Sequence, residues 1–313
     1  MPTDTAYLTP RRSVSAAVRL RRMIGARRSF DLIWLQWSTL SDLGFLLAAR
    51  AAGLPVLVTP HLGANARLQR VPALREVCRR ALKSADRIGV LFSGQHDEVA
   101  LPEHVPISML RTFLPRDSLT KPATTKSPGG LRLIHAGRLS EGKGTFRTVD
   151  LCAGLRTRGV PFQARIIGRA DEETNKRLRS MVEGAALNHR IELVEWLSEV
   201  ALGEALVEAD VLAHLSVLDS FPLIVLEAMA AGTVPIVGEM AGARSMVAAY
   251  GGYVAPDSDP TNAAEWLAAQ PVEALRRQGA KMAEQVREDY SWEACATLAV
   301  AAADATLAGR ALR

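Results

Sequence analysis

Residues 209–237 have the sequence ADVLAHLSVLDSFPLIVLEAMAAGTVPIV. Two short apolar runs, 211–215 and 233–237, predict buried strands, and the longer apolar run between them predicts a helix that ends at Gly232. Pro222 suits the first turn of that helix, where its missing N–H costs nothing. The segment therefore predicts a strand–helix–strand unit of a parallel sheet.

The same alternation of strands and helices continues along all 313 residues and predicts an α/β fold. Further strands are predicted at 31–36, 55–59, 87–91, 107–110, 131–136, 163–167, 191–194 and 252–254. Further helices are predicted at 41–52, 71–84, 94–101, 145–157 and 172–183, and from 260 to the end. Because the Pro, Thr, Ser and Gly residues of 121–130 cannot build a core, this segment predicts a linker. We therefore expect an N-terminal domain at 1–122, a second domain at 123–270 and C-terminal helices at 271–313.

The composition excludes several classes of protein. Hydrophobic residues make up 48% and charged residues 23% of the chain, which is typical of a globular protein. The longest stretch without Asp, Glu, Lys or Arg, residues 51–66, is too short to span a membrane. No apolar signal core opens the chain, and the three isolated cysteines suggest neither a disulfide framework nor a zinc site. These features predict a cytoplasmic protein.

Basic residues are concentrated near the N-terminus, where residues 1–30 contain seven Arg and one Asp. Their near-helical spacing predicts a basic amphipathic helix. One interpretation is a peripheral contact with the anionic inner face of a membrane, and the other is a solvated outer helix. Nucleic acid is not an expected partner, since no aromatic residue interleaves with these arginines.

Two acids mark a ligand site in the stretch 209–237. Asp219 lies on the loop after a predicted strand, and Glu227 lies inside the following helix. Open parallel sheets bind ligands at the carboxyl ends of their strands, and a helix N-terminus there favours phosphate. The pattern predicts a nucleoside diphosphate, with Glu227 accepting the ribose hydroxyls. A solvated helix face is the alternative for Glu227 alone.

A second candidate loop, GRLSEGKG at residues 137–144, follows the first strand of the second domain. Its glycines allow close backbone approach, and Arg138 and Lys143 place two cations where a departing diphosphate would gain charge. The spacing matches neither a P-loop nor the dinucleotide-binding GxGxxG pattern. The loop is weak evidence alone and stronger beside the acidic pair.

These segments resemble the GT-B glycosyltransferases of the family 4 type, the glycosyl transferases group 1. The resemblance is specific in GRLSEGKG, in RIELVEWLS (190–198) and in 209–237, where Asp219 replaces the first Glu of the family's E-x7-E signature. It continues more loosely through DLIWLQWS (31–38), GLPVLVTPHLG (53–63) and SADRIGVLFSGQHDEV (84–99). It implies two Rossmann-like parallel-sheet domains facing a cleft.

The resemblance also implies roles for individual residues. Arg138 and Lys143 would hold the donor diphosphate, Glu227 the ribose, and Asp219 would face the transferred hexose. The segment of Ser220, Phe221, Pro222 and Leu223 would bring backbone amides to the phosphate or sugar. His61 would lie across the cleft near the reacting centre, although a histidine after a strand is also common as a structural residue. No metal and no cofactor are implied beyond the nucleotide-diphosphate sugar.

The chain departs from the family pattern in two places. Asp219 is one methylene shorter than Glu, which puts turnover in doubt, and the N-terminal domain lacks the family's opening strands, so either its start lies upstream or it is a reduced version. The resemblance predicts a retaining hexosyltransferase acting on a glycan, a lipid-linked sugar or a small-molecule hydroxyl. The alternatives are a catalytically silent nucleotide-sugar-binding or partner subunit of the same fold and another GT-B enzyme, such as an epimerase or a phosphorylase.

Overall fold

The computed structural model describes residues 10–62, 67–116, 129–219 and 221–311. The chain divides into two compact units, one of Met1–Thr112 with Glu293–Arg313 and one of Phe113–Trp292. The predicted boundary at 122–123 lies outside the described residues, and the segment predicted as C-terminal helices is shared between the two units.

The first unit contains a four-stranded parallel sheet with the order β1-β2-β3-β4. The strands are β1 Ile33–Trp37, β2 Val56–Pro60, β3 Arg87–Val90 and β4 Ile107–Met109. The helices are α1 Pro10–Gly25, α2 Leu40–Ala51, α3 Arg67–Arg70, α4 Pro72–Leu82 and α5 Gln95–Glu98. All four predicted strands are present.

The helix predicted at 94–101 is wrong in length, because only the single turn α5 forms there. Val99 already has extended backbone angles, with φ −124° and ψ 124°. Pro102 follows three residues later, and a proline disfavours helical geometry at the residue before it. The apolar residues of this segment are used in packing instead, since Val99 is buried in the core of the first unit.

The core of the first unit lies between the sheet and its helices. Strand β2 is buried along its whole length, as expected for a parallel strand covered on both faces. Trp37, Leu46 and Val58 belong to one buried apolar cluster. The side chain of Arg87 donates to the carbonyl of Ala305 at 3.3 Å, so the C-terminal helix of the chain is joined to this unit.

The second unit contains a six-stranded parallel sheet with the order β10-β9-β8-β5-β6-β7. The strands are β5 Leu131–Ala136, β6 Phe162–Ile167, β7 Ile191–Val194, β8 Val211–His214, β9 Val234–Val237 and β10 Tyr253–Val254. The helices that follow α5 are α6 Thr145–Thr157, α7 Glu172–Gly184, α8 Glu199–Glu208, α9 Leu223–Ala230, α10 Ala241–Tyr250, α11 Pro260–Ala268, α12 Val272–Asp289 and α13 Trp292–Ala311.

The strand order of this sheet reverses between β5 and β8. The chain proceeds outward from β5 to β7 and then returns to place β8 on the other side of β5. In open α/β sheets this reversal leaves a crevice at the carboxyl ends of the two strands, which is where ligands bind. The predicted fold class is confirmed: both units are parallel-sheet α/β structures.

Local sequence signals explain where the helices begin. Asp171 accepts a hydrogen bond from the N–H of Thr174 at 2.8 Å, and Ser198 accepts one from the N–H of Ala201 at 3.2 Å, as N-cap side chains do. Pro72 and Pro260 occupy first helical positions. In the part of the chain that the structure describes, no helix is both long and apolar enough to cross a membrane.

Candidate active site

A pocket of about 170 Å³ lies at the carboxyl ends of β5 and β8, next to the first turn of α9. Five of the residues predicted for the donor site line it together: Arg138, Lys143, Asp219, Pro222 and Leu223. They come from two segments that are about 80 residues apart in sequence, and the strand reversal brings those segments side by side. His135 and His214, which the sequence analysis did not select, also line this pocket.

The loop GRLSEGKG is fixed against the β8–α9 loop by backbone contacts. The N–H of Val217 donates to the carbonyl of Gly142 at 2.9 Å, and the hydroxyl of Ser216 donates to the same carbonyl at 3.2 Å. Gly144 has φ +81°, and a Cβ there would overlap the carbonyl of Leu215. Glycine is required at this position because both its backbone angle and the close approach exclude a side chain.

Asp219 is held by two side chains at the floor of this site. Its Oδ1 accepts from the ammonium of Lys143, and its Oδ2 lies 3.0 Å from Nε2 of His214. Burial by itself raises the pKa of Asp219, but the hydrogen bonds from His214 and Lys143 outweigh burial and bring the pKa below its usual value. Asp219 is therefore a fixed, ionised acceptor in the pocket.

His135 connects β5, β8 and the loop GRLSEGKG, called the glycine-containing loop below, from inside the unit. Its Nδ1 lies 2.8 Å from the carbonyl of Ala213, and its Nε2 lies 3.2 Å from the hydroxyl of Thr145. That hydroxyl also accepts from the N–H of Ser140 at 3.0 Å. Burial lowers the pKa of His135 to about 4, so the ring is neutral at pH 7 and both of its nitrogens are occupied.

The two cations of the pocket differ in their surroundings. The Lys143 side chain is 26% exposed and paired with Asp219. Arg138 is exposed, and no ion pair joins it to another of the described residues. An exposed guanidinium without a carboxylate partner can turn towards an incoming anion at little cost, whereas the ammonium of Lys143 would have to be shared.

Glu227 and Phe221 are placed less directly than the five pocket residues. Glu227 is half-buried, one turn into α9, and does not line the pocket. Burial raises the pKa of its carboxyl, and the nearby charge of Glu199 raises it further. Phe221 is half-buried immediately before Pro222, and Ser220 lies outside the described residues.

His61 lies in the first unit, immediately after β2. Its N–H donates to the carbonyl of Trp37 at 2.7 Å, and burial lowers the pKa of its ring. Within the ranges that the structure describes, its imidazole makes no side-chain hydrogen bond. The ring is therefore a half-buried neutral group, and its catalytic role stays a prediction.

The sequence matches two family models that together extend over most of the chain. The model for glycosyl transferases group 1 matches residues 119–286, which is more than half of the chain. The model for the glycosyl transferase 4-like domain matches residues 2–107. The second unit is thus matched over nearly its whole length, including the pocket.

The names of similar proteins describe glycosyltransferases of bacterial polysaccharide biosynthesis and of sugar transfer to a lipid-linked acceptor. The putative colanic acid biosynthesis glycosyltransferase WcaL of Escherichia coli is 30% identical over 192 residues, which are 58% of this chain and 46% of that protein. A GDP-mannose:cellobiosyl-diphosphopolyprenol alpha-mannosyltransferase of Xanthomonas campestris is 24% identical over 223 residues, 70% of this chain and 58% of that protein. The match therefore spans only about half the length of these relatives.

Solved structures show the fold more completely. HepE of Anabaena, in complex with UDP and glucose, has a TM-score of 0.72 at 15% identity, and the match covers 91% of this chain and 80% of that chain. Sucrose-phosphate synthase of Thermosynechococcus elongatus has a TM-score of 0.69 at 19% identity, with 89% and 75% covered. These likenesses show the GT-B fold.

Proposed function

The chain belongs to the glycosyl transferases group 1 family, and from this premise we propose that it moves a hexose from a nucleotide-diphosphate sugar to an acceptor hydroxyl. The observation that carries the proposal is the meeting of Arg138, Lys143 and Asp219 in one pocket at the strand reversal of the second unit. Two cations and one fixed carboxylate suit the two ends of such a donor, an anionic diphosphate and a hydroxyl-rich sugar.

The diphosphate would lie between the two cations and the first turn of α9. The N-cap residue Pro222 supplies no side-chain hydrogen bond to that helix, so the N–H groups of its first turn and its dipole favour an anion there. As the bond between the anomeric carbon and the diphosphate breaks, the electron pair leaves with the diphosphate. Arg138 and Lys143 would stabilise the charge that gathers on it.

Retention of configuration is proposed from the family and fits the state of Asp219. Both oxygens of this carboxylate are engaged, one by Lys143 and one by His214. A carboxylate held in this way is suited to accept hydroxyl hydrogen bonds from the hexose rather than to form a covalent bond with the anomeric carbon. We therefore propose that the acceptor oxygen enters on the face from which the diphosphate departs.

One side chain and one stretch of backbone complete the proposed donor site. Glu227 would accept the ribose hydroxyls, and the backbone around Ser220, Phe221 and Leu223 would approach the phosphate or the sugar. Relatives indicate two donor bases to test: HepE binds UDP and UDP-glucose, and the Xanthomonas campestris relative uses GDP-mannose by its name. No cofactor or metal enters the proposal.

The acceptor proposed for this chain is a hydroxyl of a glycan, a lipid-linked sugar or a small molecule. The names of its relatives support the first two, since they include colanic acid biosynthesis and a diphosphopolyprenol acceptor.

A peripheral contact with the inner face of an anionic membrane is proposed as well. In α1, Leu20 and Met23 pack on the core of the first unit, while Val14 and Val18 are 66% and 46% exposed.

The donor site is tested by thermal unfolding with UDP, GDP and ADP. At about 100 times its dissociation constant a ligand stabilises the folded state by ~2.7 kcal/mol, which moves the melting temperature by several degrees. We expect one nucleotide to stabilise the wild type and to lose that effect in Glu227→Ala. The matched control is Glu183→Ala, an exposed acid near the end of α7, which should keep the effect.

The other outcomes separate the alternatives. Stabilisation by none of the three nucleotides would contradict the donor site. Stabilisation without any transfer or hydrolysis of the matching sugar donor would favour the catalytically silent alternative.

The membrane contact is tested by cosedimentation with anionic vesicles. Cosedimentation should fall when Arg19, Arg21 and Arg22 become Ala and should persist when Arg156, Lys176 and Arg179 become Ala. Equal cosedimentation of both triple variants would contradict it.

A further inference from the structure

Two unlike side chains, Lys143 and His214, hold the two oxygens of Asp219, with a further contribution from the hydroxyl of Ser216. Lys143 donates to Oδ1, and its side chain is 26% exposed beside the pocket. His214 approaches Oδ2 at 3.0 Å, and its side chain is only 5% exposed. The carboxylate is therefore held by a partly exposed cation on one oxygen and by a buried ring on the other.

The Lys143 contact is the one that a bound donor would disturb. An ammonium is a compact charge on a flexible stem with three donors, and a diphosphate carries more negative charge than a single carboxylate. When a diphosphate enters the pocket, Lys143 is drawn towards it, and Asp219 keeps less of this contact. His214 cannot follow in that way because it ends strand β8 and is enclosed by the unit.

The two nitrogens of His214 are not equivalent. Nδ1 is buried and makes no hydrogen bond with any described residue, while Nε2 faces the carboxylate of Asp219. A buried N–H without an acceptor is costly. The tautomer with hydrogen on Nε2 avoids this cost and gives Asp219 a donor, so the surroundings of the ring select the form that holds the carboxylate.

We propose that His214 is a positioning residue, which keeps the carboxylate of Asp219 directed at the hexose of the donor after Lys143 has turned to the diphosphate. The inference rests on the proposed function and adds to it a residue that distinguishes sugar binding from nucleotide binding. The donor from β8 also fixes the place of the Asp219 carboxylate, whose side chain is one methylene shorter than that of Glu.

The test compares the affinity for the nucleoside diphosphate with the affinity for the matching nucleotide sugar, by isothermal titration without acceptor. In His214→Leu, we expect the affinity for the nucleotide sugar to fall about tenfold or more, as for loss of a hydrogen bond to a charged group. The affinity for the diphosphate alone should change by less than about twofold, because the diphosphate makes no contact with Asp219 that depends on His214.

Two amide variants control for packing. His214→Gln places an amide donor close to the position of Nε2 and should restore most of the nucleotide-sugar affinity. His214→Asn places its amide close to Nδ1 and should not. An equal loss for both ligands in His214→Leu, or an equal rescue by Gln and Asn, would show a merely structural role and overturn the inference.

The tautomer of His214 gives a readout that requires no nucleotide. ¹⁵N chemical shifts of the imidazole, assigned by comparison with His214→Leu, should show hydrogen on Nε2 in the wild type. Hydrogen on Nδ1 alone would overturn the inference even if the donor site is correct. Conversely, a wild type that binds no nucleotide diphosphate or nucleotide sugar would overturn the proposed function itself, whichever tautomer is found.

Discussion

The strand ends of the two units differ in how their polar groups are held. At the end of β8, Asp219 is tied to Lys143 from the glycine-containing loop and to His214 from the strand. At the end of β2, His61 is held through its backbone N–H to Trp37, and its ring makes no hydrogen bond within the described residues. Both sites lie at carboxyl ends of parallel strands, yet among the described residues only the first contains a network of charges.

This difference indicates which unit would recognise the charged donor proposed above. A network in which each member is held by another is ready before the ligand arrives and needs little rearrangement to oppose new charge. A half-buried neutral imidazole can offer one hydrogen bond and resists becoming charged. Changes in the network of the second unit should therefore have larger effects than changes at His61.

The largest effect on catalysis is expected from substitution of Lys143. We expect Lys143→Ala to lower kcat/KM for the nucleotide sugar by about 100- to 1,000-fold, the range for loss of one preorganised group that stabilises transition-state charge. Lys176→Ala, on the exposed face of α7, should leave kcat/KM within about twofold of the wild type, as surface changes away from the site usually do. Similar losses in both variants would remove Lys143 from the proposed chemistry.

The folding stability should depend on the backbone of the loop that carries Lys143. We expect Gly144→Ala to lower the free energy of unfolding by ~2 kcal/mol or more, because Gly144 has φ +81° and its Cβ would overlap Leu215. Gly184→Ala should instead raise stability by about 0.5–1 kcal/mol, since a helical glycine with open space gains from Ala. Chemical denaturation measures both, and a neutral Gly144→Ala would contradict the close packing of the two loops.

Acid should lower the folding stability of the second unit through His135. Its pKa is lowered from 6.5 to about 4 by burial, so the unfolded chain takes up a proton first as the pH falls. Stability is then fully present above pH 6.5 and is lost between pH 6.5 and about 4, at up to ~1.4 kcal/mol per pH unit. His135→Gln should show a shallower loss between pH 7 and pH 5 in denaturant titrations. Equal slopes in both proteins would mean that the ring titrates normally.

His61 offers a smaller effect on turnover. We expect His61→Gln to lower kcat about tenfold, the factor for one lost hydrogen bond of ~1.4 kcal/mol, with little change in the dissociation constant of the nucleotide. His104→Gln, at an exposed position of the same unit, is the control and should be neutral. A loss in nucleotide affinity that matches the loss in kcat would assign His61 to the donor site instead.

The smallest expected effect is that of chelation. Since Arg138 and Lys143 supply the positive charge in the proposed site, transfer rates in EDTA should equal those in Mg²⁺. A rate that falls in EDTA and returns with added metal would replace this view of the site.

Much of the donor pocket was predictable because its residues lie in short, locally patterned segments. All ten predicted strands are present, and the two loops that carry Arg138, Lys143 and Asp219 follow strands as expected. His135 and His214 were missed, although each interrupts an apolar strand with a polar group, a signal that could have selected them. Their roles depend on neighbours from distant segments, which local patterns do not reveal.

The sequence by itself determined the alternation of strands and helices and the loops that carry the charges, since hydrophobic period, proline and glycine act over a few residues. It also determined the family, because the motifs at 137–144 and 209–237 are contiguous. Only the tertiary structure decided that Lys143 and His214 share the carboxylate of Asp219, that His135 is buried and neutral, and that the C-terminal helix belongs to the first unit. These features arise from strand order and packing between residues far apart in the chain, where burial and a neighbouring charge, rather than residue type, set the state of each group.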